Sequence, residues 1–93
     1  MFRKRSEPLE IVLYTRAGCH LCDAMKAELE RARLGGTCTL REVDIDTDPA
    51  LVEEYGRSIP VLAIAGRAAF KGRATAEEIA RKVERALRER EPA

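Results

Sequence analysis

The sequence predicts one α/β domain, a three-layer sandwich with helices on both faces of a four-stranded mixed sheet. Two observations lead there. Hydrophobic spacing alternates between a period of two and a period of 3.6, giving the order β-α-β-α-β-β-α. The segment Cys19-His20-Leu21-Cys22 stands where the first apolar run gives way to an amphipathic one. In open α/β sheets that junction, at the C-terminal end of a strand, is where chemistry usually sits.

The elements follow in order. Glu10–Tyr14 is β-branched and apolar and reads as the first strand, with Thr15-Arg16-Ala17-Gly18 as the loop after it. A helix is expected from Cys19 to about Leu34. Cys22, Met25, Leu29 and Ala32 share one face, Asp23, Lys26, Glu30 and Arg33 the other, and Gly35-Gly36 stops it. Cys38 to about Asp44 alternates as a second strand. Asp48 as N-cap and Pro49 in the first turn start a short helix that carries Leu51, Val52 and Tyr55 and ends at Gly56. Val61–Ile64 is nearly all apolar, hence a central strand, and Ala65-Gly66 turns the chain into a fourth, Ala68–Lys71. Thr75-Ala76-Glu77-Glu78 has capping-box form and opens a last helix to about Arg90, with Ile79, Val83 and Leu87 as its buried stripe. Strands joined by helices are expected to be parallel with right-handed crossovers, and the last two to form an antiparallel hairpin. Residues 1–9 form an N-terminal tail and 10–90 the domain; no repeat or low-complexity segment interrupts it.

Composition narrows the function classes. Ninety-three residues support one core and not two, and a monomer is the default for so small a domain. With 45% hydrophobic and 35% charged residues the chain reads as soluble and globular. A formal net charge of +1 gives no bulk electrostatic case for nucleic acid or an anionic membrane. Residues 9–65 carry six basic and ten acidic side chains, residues 66–90 eight basic and four acidic. That basic C-terminal third suits an acidic partner or simply a solvated helix face. The basic residues near the start have no apolar run behind them, and no stretch has the length of a membrane span, so a cytoplasmic location is expected. Three cysteines in a reducing compartment point to catalysis, redox sensing or metal binding rather than a structural disulfide framework.

At a strand-to-helix junction the first sulfur of a Cys-x-x-Cys faces the unpaired N–H groups and positive dipole end of the helix, which favour the thiolate. The second sulfur follows one turn later. That arrangement suits thiol–disulfide exchange, in which Cys19 attacks and Cys22 resolves the mixed disulfide. A single Cys-x-x-Cys supplies half of a zinc site, and no second half is evident.

Three features carry a family resemblance: Tyr14-Thr15-Arg16-Ala17-Gly18-Cys19-His20-Leu21-Cys22, Val43-Asp44-Ile45-Asp46 and Ile59-Pro60-Val61. With them the chain resembles the thioredoxin superfamily, its glutaredoxin branch in particular, and most closely the short bacterial glutaredoxin-like proteins with a Gly-Cys-His-Leu-Cys motif. The resemblance implies a thioredoxin-like fold, dithiol oxidoreductase activity, and a cis Ile59–Pro60 bond that presents the Ile59 backbone to a substrate near Cys19. The chain departs from typical glutaredoxins at two places. His20-Leu21 replaces Pro-Tyr between the cysteines, and Lys71-Gly72-Arg73-Ala74-Thr75 stands where the family grips the γ-glutamyl end of glutathione.

The remaining candidates each have two readings. His20, the only histidine, tunes the thiolate as an imidazolium or points to solvent. Arg16 holds a substrate carboxylate, or is an idle surface cation. Arg73 and Thr75 frame the N-terminus of the last helix, whose N–H groups suit a carboxylate; Thr75 is otherwise a plain N-cap. Cys38 reads as a small core residue, Tyr14 as core packing beside the loop, and Asp44 and Asp46 as strand-end and turn acids rather than a metal pair.

The expected function is thus a thiol–disulfide oxidoreductase acting on a disulfide-bearing protein or small thiol. No bound cofactor or metal is required. Glutathione, as reductant or co-substrate, and a thioredoxin-reductase-type flavoprotein are the candidate donors. Two other classes compete: a zinc or [2Fe–2S] centre held through Cys19 and Cys22, and a non-catalytic adaptor with the same fold.

Overall fold

The chain adopts the expected β-α-β-α-β-β-α order in a computed structural model, which describes residues 7–90. Residues 1–6 of the expected N-terminal tail, and residues 91–93, lie outside the described residues. The strands are β1 (Leu9–Thr15), β2 (Cys38–Asp44), β3 (Val61–Ile64) and β4 (Arg67–Lys71). The helices are α1 (His20–Ala32), α2 (Pro49–Tyr55) and α3 (Ala76–Glu89), with short 3-10 turns at Gly35–Thr37 and Ile45–Thr47.

The sheet order is β2-β1-β3-β4. β1 and β2 run parallel in flush register, from Leu9 opposite Cys38 to Thr15 opposite Asp44. β3 runs antiparallel to β1, with Tyr14 opposite Val61 and Ile11 opposite Ile64. The expectation that helix-joined strands are parallel therefore holds for β1 and β2 and fails for β3. A parallel return has to carry the chain back along the whole strand, about 23 Å for seven residues. The seven residues of α2 rise only about 10 Å. The chain thus re-enters the sheet from the end at which it left.

Strand alternation divides the core. Leu9, Ile11, Leu13, Leu62 and Ile64 face α1 and α3 and pack with Met25, Leu29, Ile79 and Val83 in one buried cluster. The opposite face carries buried Val12, Val61 and Ala63. There the Tyr14 ring meets Tyr55 of α2, centroids 4.6 Å apart. Leu87 is half-buried and packs on the margin of the cluster rather than within it.

Helix ends show which local signals acted. α1 stops at Ala32, before the glycine pair, because Arg33 takes a left-handed conformation (φ 51) and donates its N–H to Glu30 O. That bend turns Leu34 onto the core, the apolar contact that accompanies left-handed helix ends. Gly35 and Gly36 then fall in the 3-10 turn. At the start of α3, Thr75 Oγ1 accepts from Glu78 N–H at 3.1 Å and Glu78 Oε1 accepts from Thr75 N–H at 2.8 Å, a complete capping box. Thr75→Ala is expected to cost about 0.5–2 kcal/mol, read as a lower urea midpoint with unchanged slope.

The β3–β4 hairpin turns on Ala65 (φ 52) and Gly66 (φ 83), both left-handed as a two-residue turn of this type requires. Alanine there is strained and asparagine is not. Ala65→Asn is expected to raise stability by about 0.5–1 kcal/mol, measured by the same denaturation.

Candidate active site

Every element converging on the two cysteines does so at the C-terminal end of β1. Gly18 supplies a left-handed residue (φ 76) that turns the loop into α1, and Cys19 follows as the N-cap in extended conformation. Its Sγ accepts a hydrogen bond from Cys22 N–H at 3.1 Å, and its carbonyl accepts from Asp23 N–H at 3.2 Å. A sulfur so placed faces the positive end of a thirteen-residue helix. The Cys22 Sγ lies at disulfide distance from it, with the Cα atoms 5.2 Å apart. Cys19 is half-buried and Cys22 is buried. The outer sulfur is thus open to a second molecule, and the inner one is reached through it.

The neighbours of the pair are unequal. His20 and Leu21 are exposed. Ile59–Pro60 is cis, as the resemblance implied. Because Val61 pairs with Tyr14, buried Pro60 stands beside Thr15 at the cysteine end of the sheet. The Pro60 carbonyl accepts from Gly72 N–H at 2.8 Å, which ties the loop before α3 to the same end. Arg73 and Thr75 are exposed on that loop.

Arg16 is engaged within the protein. Its Nε lies 3.1 Å from both carboxylate oxygens of Asp46, and an outer guanidinium nitrogen lies 2.9 Å from Oδ1. This two-pronged pair joins the β1–α1 loop to the turn after β2 and accounts for Asp46. Asp44 accepts from Asp46 N–H at 2.9 Å and caps that turn.

Beside Cys22 a polar cleft of about 310 Å³ opens between Gly18, Lys26 and Glu42. Lys26 meets Glu42 across it at 2.7 Å. The Glu42 hydrogen bond holds the Lys26 ammonium above its usual pKa against a smaller opposing effect of burial, so this cation stays charged. Burial, then the Glu54 charge, raises the Tyr55 phenol, which stays neutral on the other face.

Sequence reading did not anticipate Lys26, Glu42, Asp46 as the partner of Arg16, or Glu28, whose Oε1 accepts from Ala76 N–H at 2.8 Å. Lys26 lies four residues after Cys22, the spacing of helix neighbours, and that was the one signal available. Cys38 is a free, half-buried thiol at the far end of β2, opposite Leu9. Among the described residues no three His, Cys, Asp or Glu side chains are grouped to hold a metal ion.

Residues 10–84 match the glutaredoxin-like domain (DUF836). The chain belongs to that family. Solved structures share its fold. This glutaredoxin-like domain is 32% identical to protein XcR50 from X. campestris, over 81% of this chain and 96% of that one, with a TM-score of 0.71. It is 26% identical to protein Ne2328 from Nitrosomonas europaea, over 87% and 98%, with a TM-score of 0.70. Chloroplastic thioredoxin z shares the fold at 21% identity, over 89% and 80%, with a TM-score of 0.72. No curated protein matches the sequence. The family is thus the glutaredoxin-like domain, and the fold is thioredoxin-like.

Among the described residues no helix is long and apolar enough to cross a membrane.

Proposed function

We propose that this domain is a dithiol thiol–disulfide oxidoreductase. The observation that carries the reading is Cys19 Sγ at the N-cap of α1, accepting Cys22 N–H at 3.1 Å, with Cys22 Sγ at disulfide distance. The helix terminus favours negative charge on Cys19, the state that attacks.

In the reductive direction the Cys19 thiolate attacks one sulfur of a substrate disulfide, and the other sulfur leaves with the bonding electron pair and takes up a proton. Cys22 loses its proton and attacks Cys19 Sγ in the mixed disulfide. The Cys19–Cys22 bond closes and the second substrate thiol leaves. Two electrons pass from the protein to the substrate, and a donor thiol or a flavoprotein returns them. Ile59 and Pro60 line the approach, where an extended substrate segment pairs beside Cys19. His20 and Leu21 form the rim, and Arg16 holds the loop in place through Asp46. A reducing cytoplasm suits such a cycle.

Turnover of a fluorescent disulfide peptide tests the reading, in separate assays supplied with glutathione plus its reductase or with NADPH plus a thioredoxin reductase. Multiple turnovers with either donor, absent in Cys19→Ser, are the expected result. No turnover with either, and none with dithiothreitol, would contradict it.

A further inference from the structure

A groove of about 560 Å³ runs between α1 and the loop leading into α3. It begins at Ala24, five residues along α1 from Cys19 or about 7.5 Å of helix. Its far wall is Gly72–Thr75, tied to Pro60 through the Gly72 N–H. It thus runs alongside the first turn of α3, where backbone N–H groups attract carboxylates.

Three of the four N–H groups from Thr75 to Glu78 are engaged from within, all but that of Glu77. Thr75 N–H donates to Glu78 and Glu78 N–H to Thr75 Oγ1. Ala76 N–H donates across the groove to Glu28 Oε1 at 2.8 Å. Glu28 is a mostly buried side chain of α1 whose other oxygen meets Arg31 at 3.0 Å. With Glu77 and Glu78 it gives the groove three carboxylates. Arg31 and Arg73 are the cations facing them, and Arg31 is already paired with Glu28. An incoming acid would have to displace Glu28, strip it of both partners and sit beside its charge.

We infer that Glu28 is a specificity-determining residue: its carboxylate occupies the first turn of α3 and turns acidic thiols away from the groove that opens five residues along α1 from Cys19. The inference rests on the proposed exchange and names its substrate class. Disulfides whose flanking groups are neutral or cationic react, and those carrying a carboxylate at this reach are disfavoured.

The test uses two peptides, Glu-Cys-Gly amide and Gln-Cys-Gly amide, each capped as a mixed disulfide with thionitrobenzoate. The Cys19 thiolate bonds to the peptide sulfur, and thionitrobenzoate leaves with the electron pair and is read by its colour. The leaving group is common to both, so it cancels in the ratio of rates. In the wild-type protein the acidic peptide is expected to react about two- to fivefold more slowly, the size of one charge at a helix terminus. Glu28→Ala should bring the ratio towards one. Glu28→Gln keeps an acceptor for Ala76 N–H without the charge, so it decides the matter if the alanine variant unfolds; its ratio should rise as well. A wild-type ratio of one, or a ratio unmoved in both folded variants, overturns the inference and leaves the exchange intact. No release above the Cys19→Ser background overturns the exchange reading itself.

Discussion

Cys19→Ser is expected to abolish disulfide exchange, a fall on the order of 10³-fold or more, while Cys22→Ser yields a protein that captures its substrate and holds it. The asymmetry follows from placement. Cys19 caps α1 with its sulfur under the Cys22 N–H, half-exposed, where a thiolate is favoured and can be reached. A serine hydroxyl at the same point stays protonated and does not attack sulfur. Cys22 is 2% exposed and meets substrate only through Cys19. Without it the mixed disulfide has no internal attacker. Intact mass after incubation with a disulfide peptide reads the difference: no adduct on Cys19→Ser, a stable one-peptide adduct on Cys22→Ser. Equal adducts on both variants would place the reactive thiol elsewhere, with Cys38 the remaining cysteine.

The largest effect on stability is expected from Leu62→Ala. Leu62 is fully buried in β3, a central strand, and packs in the cluster shared by β1, α1 and α3. Truncation removes apolar contacts within that cluster and leaves a cavity that the surrounding elements close only in part. The cost is about 2–5 kcal/mol, a large share of the roughly 5–15 kcal/mol that holds a domain together. Since each kcal/mol moves Tm by about 4–8 °C in a domain of this size, the melting shift is measurable at once by calorimetry. A loss below about 1 kcal/mol would mean that the core is centred elsewhere. The same cluster contains Met25 and Leu29 of α1, so its packing also sets where Cys19 and Cys22 stand.

What could be read from the sequence was local. The N-caps Asp48 and Thr75 act on N–H groups two or three residues away. The Ala65-Gly66 turn joins adjacent strands, and the cysteine pair spans one helical turn. In each case the residues that interact are written side by side. The cis Ile59–Pro60 bond was legible only through family resemblance. Contacts between distant segments were not legible. Arg16 meets Asp46 thirty residues on, and Glu28 meets Ala76 forty-eight residues on. Both depend on the register of β1 with β2 and on the crossing of α1 with α3, which no spacing rule encodes. The antiparallel course of β3 was missed for a different reason. Helix length limits how far a connection can carry the chain, and α2 is too short for the parallel return that was expected. Arg33 takes a left-handed conformation that ends α1 ahead of the glycines, and Leu34, half-buried, packs against the core just beyond it.

The central claim is that Cys19 and Cys22 form one reversible redox couple. Equilibrating the purified protein in graded reduced and oxidised dithiothreitol and glutathione buffers tests it most directly, with free thiols trapped by an alkylating reagent and counted by intact mass. The account predicts a single two-electron transition confined to Cys19 and Cys22, with Cys38 alkylated throughout, and its midpoint gives the direction in which the protein passes electrons. A pair that forms no reversible disulfide, or that alkylates only after metal is chelated, would contradict it.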